Sequence, residues 1–233
     1  MMISAAAIKE RLSQKGAVIS GIAPAERFAK APRGFHPQDI LPECKSIVVF
    51  GLQFPSGVTK AHTNAPYTLV RNYLVAQTDQ ISVELMNELE REGLTAIPIP
   101  CAEPYEFWDA AARHGRGILS LKHAAVLAGL GVMGKNTLLI NETYGNMLWL
   151  GAILLSAALE PDPLYEETIC PEGCHVCLDV CPAKAMDGVT ISQKLCRAKM
   201  CRESEGGGFI YDCNRCRIAC PHFRGKRNAA AVS

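Results

Sequence analysis

The sequence predicts an α+β protein built in two parts, an α/β domain over residues 1–162 and a cysteine-rich domain over residues 163–233. Two observations support this division. Segments with helical and with strand-like apolar spacing alternate through the first part. Nine of the eleven cysteines lie between positions 170 and 220, beyond an acidic, proline-containing linker at 160–163. With 233 residues, the chain can form one substantial core and a small appended domain.

Four segments carry the clearest patterns in the first half of the chain. Residues 5–14 are predicted to form a helix, because a serine can cap its start and its apolar residues share one face. Residues 17–22 are predicted to form a strand. The nearly continuous apolar run at 46–54 is typical of a central strand covered on both faces. Apolar residues recur at helical spacing through 67–92, which is predicted to be the longest helix.

The rest of this domain is predicted to be less regular. A strand is expected at 94–99, followed by an irregular segment at 101–114 that is rich in aromatic and acidic residues. A short helix is expected at 120–128. The segment 135–140 is predicted to form a strand that pairs with 147–156 in an antiparallel hairpin.

Two cysteine runs share one spacing. The first reads CPEGCHVCLDVCP from position 170 and the second reads CNRCRIACP from position 213, so both end in C-x-x-C-x-x-x-C-P. This spacing wraps [4Fe–4S] clusters: three thiolates of one run bind a cluster, and the cysteine before proline crosses to the other cluster. The rule assigns one cluster to Cys170, Cys174, Cys177 and Cys220. It assigns the second to Cys181, Cys213, Cys216 and one further cysteine, for which we favour Cys196 over Cys201.

Disulfides and zinc are the alternatives for these cysteines. A disulfide framework is typical of secreted domains, but the start of the sequence lacks the pattern of an export signal, so we expect a cytoplasmic protein with reduced thiols. Zinc accounts for paired C-x-x-C units but not for the third cysteine repeated in both runs. The longest uncharged run is too short to span a bilayer, and we expect no membrane partner.

A glycine-rich stretch at 129–134 satisfies the G-x-G-x-x-G pattern of dinucleotide-binding proteins. That pattern needs a strand before it and a helix after it, because the pyrophosphate binds at the N-terminus of the helix. Here the predicted order is helix, glycines, strand. The order favours a tight glycine turn over a nucleotide site.

The phrase AGLGVMGKNTLLI at 128–140, the following WLGAILLS, an E-P-D linker and the double cysteine run together resemble epoxyqueuosine reductases and, more distantly, reductive dehalogenases. The resemblance implies a nitroreductase-like α/β domain followed by a ferredoxin-like double [4Fe–4S] domain. It also implies a base-off cobalamin between the two domains, close to one cluster. In this chain the corrin would then lie against Gly131, Gly134, Lys135, Asn136 and Thr137.

The chain departs from the family at the proton donor. Epoxyqueuosine reductases carry an aspartate shortly before the helix that leads into the glycine turn, and the matching positions here are His114, Gly115 and Arg116. His114 and Tyr105 are the candidate replacements as catalytic acids, although His114 can equally be a surface residue and Tyr105 a core aromatic. Only thirteen residues follow Cys220, so we expect no C-terminal helical-repeat extension and do not expect transfer RNA as a substrate.

The resulting functional prediction is an iron–sulfur oxidoreductase. Two [4Fe–4S] clusters would relay electrons from a donor protein of the ferredoxin or flavodoxin type to a cobalamin, which would reduce a small-molecule substrate. Two alternatives are a non-catalytic electron carrier and a reductase that uses flavin mononucleotide (FMN) on the same fold.

Overall fold

The computed structural model describes residues 3–226, so residues 227–233 of the predicted second domain lie outside the described part. The helices are α1 (Ala5–Gln14), α2 (Pro37–Ile40), α3 (Ala65–Arg91), α4 (Leu121–Leu127), α5 (Val176–Asp179), α6 (Gln193–Met200) and α7 (Arg215–Ile218). The strands are β1 (Ile19–Pro24), β2 (Ser46–Gln53), β3 (Ala96–Ile99), β4 (Phe107–Asp109), β5 (His114–Arg116), β6 (Val132–Met133), β7 (Leu139–Ile140), β8 (Leu148–Leu155), β9 (Cys201–Glu203) and β10 (Phe209–Tyr211).

A four-stranded antiparallel sheet with the order β1-β2-β8-β3 forms the centre of the first part. Val49 of β2 pairs with Gly21 of β1 on one side and with Ala152 of β8 on the other. All residues of β2 except the last are buried. The apolar run at 46–54 is therefore confirmed as a central, doubly covered strand.

Helices cover both faces of this sheet. On one face, α1 and α3 pack their apolar residues against alternate residues of β2 and β8, such as Phe50 and Ile153. On the other face, α4 and the segment around Phe28 pack against the intervening residues, such as Val49 and Leu154. The predicted helix at 5–14 is confirmed, with Ser4 accepting a hydrogen bond from the Ala7 amide.

The predicted hairpin between 135–140 and 147–156 is wrong. Strand β7 pairs with the two-residue strand β6 across the glycine turn, and β8 instead crosses the main sheet between β2 and β3. Strand β8 is apolar along its length and almost wholly buried, so a central position in the large sheet buries more of it than a two-stranded ribbon. The segment at 101–114 holds part of a small exposed ribbon, β4–β5.

The linker joins the cysteine-rich segment to the first part through Asp162. Its carboxylate accepts hydrogen bonds from the Lys9 amine at 2.5 Å and from the Ile22 amide at 2.8 Å. Further along, the Tyr211 amide donates to the Thr68 hydroxyl of α3 at 2.9 Å. The division into domains at residue 162 stays a prediction. Within residues 3–226, no helix combines the length and the apolar character that crossing a bilayer requires.

Candidate functional site

Four of the predicted cluster ligands surround one cavity. Its lining includes Cys170, Cys174, Cys177 and Cys220, together with Lys135, Asn136, Ile140 and His222. Cys177 lies in the short helix α5, and Cys220 lies just beyond the short helix α7, which packs against α5. Four thiols from two runs around one cavity are the donor set that a [4Fe–4S] cluster needs.

A second group of thiols lies close together at the other end of the two runs. Burial raises the pKa of the Cys216 thiol to about 11; Arg217 opposes this shift, whereas three neighbouring thiols reinforce it. Those three neighbours are Cys196, Cys213 and Cys181. Burial likewise raises the pKa of Cys196, and Cys213 and Cys181 add to the rise. These are the four cysteines predicted as ligands of the second cluster.

Cys201 lies beside this second group. Its pKa is raised by burial and lowered by the guanidinium groups of Arg197, Arg71 and Arg113. Burial raises the pKa of Cys196, and the thiols of Cys213, Cys181 and Cys201 add to that rise. The choice between Cys196 and Cys201 as ligand stays a prediction.

No cysteine forms a disulfide: all eleven are free. Among residues 3–226, no three His, Cys, Asp or Glu side chains are close enough to chelate a single metal ion.

The glycine turn is filled by the chain itself. A Cβ atom at Gly131 would lie 2.2 Å from the Ile140 carbonyl oxygen, and one at Gly134 would lie 2.6 Å from the Ile140 side chain. Asn136 and Thr137 are also buried. The turn is tight because backbone and side chain of its own partner strand approach it closely.

Two side chains of this turn bind the cysteine runs. The Lys135 amine donates to the carbonyl oxygens of Pro171 at 3.3 Å and Cys174 at 3.1 Å, and also contacts that of Glu172. The Asn136 amide donates to the Cys216 carbonyl oxygen at 3.2 Å. The turn therefore fixes the backbone of both runs.

A corrin does not fit the five residues predicted to hold it as they lie in this structure. Gly131, Gly134, Asn136 and Thr137 are buried against the protein's own atoms, and the Lys135 amine is engaged by carbonyl oxygens. A flat macrocycle needs an exposed face to lie on.

The two candidate proton donors have different surroundings. The Tyr105 ring packs on Gly115, and its hydroxyl accepts a 3.1 Å hydrogen bond from the Arg197 guanidinium of α6. His114 lies in β5 opposite Asp109 and lines an open cavity of about 390 Å³ with Trp108 and other residues of the ribbon. Tyr105 is thus turned towards the cysteine-rich segment, whereas His114 borders an open cavity on the ribbon.

Two cations beside the second cysteine group were missed by the sequence analysis. Arg217 is buried, with 8% of its surface exposed, and directly follows Cys216. Lys122 of α4 is half-buried; burial and then Arg217 lower its pKa, and the thiols of Cys216 and Cys196 oppose this shift. The position of Arg217 directly after Cys216 could have indicated its place in the site. Lys122 lies in a helix far away in sequence, and no sequence pattern pointed to it.

No protein-family profile matches the chain. In sequence it is similar to the epoxyqueuosine reductase of Bacillus cereus, 27% identical over 203 residues, which are 82% of this chain and 51% of the relative. It is 34% identical over 122 residues to the epoxyqueuosine reductase of Staphylococcus aureus, covering 47% of this chain and 31% of that protein. The chain spans about half the length of the curated relatives that it matches over most of its own length.

Solved structures show the same fold. The epoxyqueuosine reductase of Streptococcus thermophilus superposes with a TM-score of 0.64 at 20% identity, over 94% of this chain and 65% of that one. An epoxyqueuosine reductase with a tRNA stem loop gives 0.63, with 94% and 65% covered at 20% identity. A reductive dehalogenase, whose structure suggests a mechanism for B12-dependent dehalogenation, gives 0.64 at 17% identity, over 97% and 33%.

The solved structures show that the chain has the mixed α/β fold found in epoxyqueuosine reductases and reductive dehalogenases. In sequence, the Bacillus cereus and Staphylococcus aureus relatives are both epoxyqueuosine reductases, so the predicted resemblance is confirmed. The expectation that transfer RNA is not a partner is weakly at odds with the solved relative that holds a tRNA stem loop.

Proposed function

We propose that this protein is an iron–sulfur oxidoreductase that carries two [4Fe–4S] clusters. Cys170, Cys174, Cys177 and Cys220 would bind one cluster, and Cys181, Cys196, Cys213 and Cys216 the other. The observation that carries the proposal is the single cavity around four cysteines of two separate runs. We extend the proposal to the fold, a nitroreductase-like domain at 1–162 followed by a ferredoxin-like domain at 163–233.

The chain's own part in electron transfer is to fix and shield the two cysteine groups. Lys135 and Asn136 bind carbonyl oxygens of the first and the second run, so the glycine turn holds both runs at a constant separation. Ile140 and Pro221 close the first cavity with apolar surface. Fixed geometry and exclusion of water are what a protein contributes to a redox centre.

The second cofactor that we propose is cobalamin, and FMN is the alternative. The support is the fold shared with a reductive dehalogenase whose structure suggests B12-dependent chemistry. When bound, cobalamin would supply a low-valent cobalt centre for reduction of a small electrophile. The glycine turn itself has no free face for the corrin.

Tyr105 is the better placed of the two proposed proton donors. The Arg197 guanidinium donates to its oxygen and lies 5.5 Å from its ring centroid, so the hydroxyl is held towards the cysteine-rich segment. His114 lines a cavity within the volume range of small-ligand sites, so it would act only on a substrate bound there.

The proposed partners are an electron-donor protein of the ferredoxin or flavodoxin type and a small-molecule substrate. Transfer RNA is not part of this proposal, because the family's aspartate is replaced by a segment without a carboxylate at His114, Gly115 and Arg116. A complex with a modified tRNA stem loop would contradict that choice.

The experiment is anaerobic reconstitution with iron and sulfide, followed by addition of cobalamin or FMN and removal of unbound cofactor. We expect absorbance and electron paramagnetic resonance (EPR) of two reducible clusters, together with the absorbance of a retained corrinoid. Retention of flavin instead would support the FMN alternative. Reducible clusters with neither cofactor retained would support the electron carrier, and the absence of any cluster would refute the proposal.

A further inference from the structure

Helix α6 binds the exposed ribbon β4–β5 through the side chain of Gln193. The Gly115 amide donates to the Gln193 carboxamide oxygen at 3.0 Å, and the Gln193 amide nitrogen donates to the Gly115 carbonyl oxygen at 2.9 Å. One side chain therefore takes up both backbone groups of Gly115, as a neighbouring strand would at the edge of a sheet. Gly115 is the buried residue of β5.

Arg197, one turn further along α6, makes a second contact with this region. Its guanidinium donates to the Tyr105 hydroxyl at 3.1 Å and lies 5.2 Å from the ring centroid of Trp108 in β4. The same guanidinium donates to the Gln193 oxygen at 3.3 Å, so the two contact residues also hold each other. The Tyr105 ring covers Gly115, where a Cβ atom would lie 2.8 Å from ring carbons.

Neither α6 nor the ribbon is held firmly by its own packing. Of the eight residues of α6, all within the described part of the chain, none is buried, and all three residues of β4 are exposed. Helices shorter than about 12 residues are marginal in water without tertiary contacts, and so is a lone two-stranded ribbon. Outside α6, the Phe107 ring contacts that of Phe35, with 5.3 Å between centroids. The position of the ribbon therefore depends strongly on what fixes α6.

Cys196 lies between the two contact residues of α6. Gln193, Cys196 and Arg197 occupy positions i, i+3 and i+4, which lie on the same face of a helix. Cys196 is also one of the proposed ligands of the second cluster. A thiolate bound to iron is held in the geometry of its site, so a cluster would fix α6 on the face that binds the ribbon.

We propose that Gln193 is a positioning residue for the substrate cavity on the ribbon, and that the second cluster fixes this cavity through α6. The inference rests on the proposed function, because it requires a second cluster with Cys196 among its ligands. The cavity of about 390 Å³ is lined by residues of the segment 106–116, including His114. In the iron-free protein, α6 and the ribbon open together. In the reconstituted protein, the cluster anchors α6, and the two hydrogen bonds to Gly115 keep the cavity wall in place.

The test is anaerobic hydrogen–deuterium exchange, measured by mass spectrometry on peptides that cover 105–116, with fragmentation that resolves the Gly115 amide. We expect this amide to exchange at least about tenfold more slowly in the reconstituted than in the iron-free wild-type protein, because opening must break its bond to Gln193. Peptides from the buried strand β2 are the internal control and should exchange equally in both forms.

Three variants separate the clasp from the cluster. Gln193→Ala should retain both clusters, with unchanged iron content and EPR, but should exchange the Gly115 amide at the iron-free rate. Lys194→Ala, at an exposed position of the same helix, should behave as the wild type. Cys196→Ser should lose the second cluster and with it the protection of Gly115.

Equal exchange of Gly115 in the iron-free and reconstituted wild type would overturn the inference, as would protection retained in Gln193→Ala or in Cys196→Ser. Failure of the wild-type protein to form two clusters would instead refute the proposed function.

Discussion

Replacing Gly131 by alanine distinguishes a structural role of the glycine turn from a cofactor-binding role. Gly131 has φ +147°, a conformation that residues with a Cβ rarely adopt. The added methyl group would also lie 2.2 Å from the Ile140 carbonyl oxygen and 3.0 Å from its carbon, so backbone atoms would have to move.

Both effects contribute to the expected loss of stability. A strained backbone conformation costs about 1–3 kcal/mol, and overpacking a well-filled site costs about 1–3 kcal/mol more. We expect a loss of roughly 2–5 kcal/mol for Gly131→Ala. In a domain of this size, 3 kcal/mol corresponds to a fall in unfolding temperature of roughly 6–12 °C.

The assay is thermal and urea unfolding of the iron-free protein, in which no cofactor contributes. Two control substitutions separate the effects: Gly34→Ala has a positive φ of +85° but nothing within 4 Å, and Gly173→Ala has neither constraint. We expect the order of stability Gly173→Ala, Gly34→Ala, Gly131→Ala, from highest to lowest. If Gly131→Ala is as stable as Gly173→Ala, the turn is not filled as described and is free to receive a ligand.

Three further predictions concern the cysteines and the core. Cys196→Ser should lose about half of the iron of the reconstituted protein, whereas Cys201→Ser should retain all of it; iron analysis showing the opposite would exchange their roles. Burial raises the pKa of Cys44 to about 11 and that of Cys101 to about 12, so at pH 8 about one thiol in a thousand or fewer is the reactive thiolate. Mass spectrometry should find both unalkylated by iodoacetamide in the native protein and modified after denaturation, and rapid native labelling would contradict their burial. Leu85→Ala, at a fully buried position of α3, should lower the free energy of unfolding by about 2–5 kcal/mol in urea, and a loss below about 1 kcal/mol would mean that this face is loosely packed.

The strongest local sequence patterns were sufficient to predict α1, α3 and β2. Helix α1 matches its predicted range, and α3 begins two residues before and ends one residue before the predicted limits. Strand β2 was predicted as central because a strand buried on both faces has no polar alternation. These elements follow from periodicity and from capping, which are properties of neighbouring residues.

Strand pairing could not be predicted in the same way. The segments at 135–140 and 147–156 are close in sequence and both apolar, which favoured a hairpin. The partners of β8 are instead β2, about 100 residues earlier, and β3, because the central position between them buries the apolar surface of β8 most completely. Such a choice depends on competition among all strands of the chain.

The cysteines of the candidate site could be predicted, because their spacing lies within short stretches of sequence. The cations that act on these cysteines could not, because they come from segments far apart in sequence. The repeated spacing of the cysteine runs identified four cysteines that line one cavity: Cys170, Cys174, Cys177 and Cys220. The electrostatic influence of Cys216 and Cys196 on Lys122 of α4 requires the approach of segments that are far apart in sequence. No sequence pattern encodes that approach.

The most direct measurement is the iron and acid-labile sulfide content of anaerobically purified or reconstituted protein, combined with Mössbauer spectroscopy. We predict about eight irons and eight sulfides per chain, all in [4Fe–4S] clusters. One tightly bound zinc without iron, or thiols joined in disulfides under anaerobic conditions, would contradict the account, because no path for electrons would then exist.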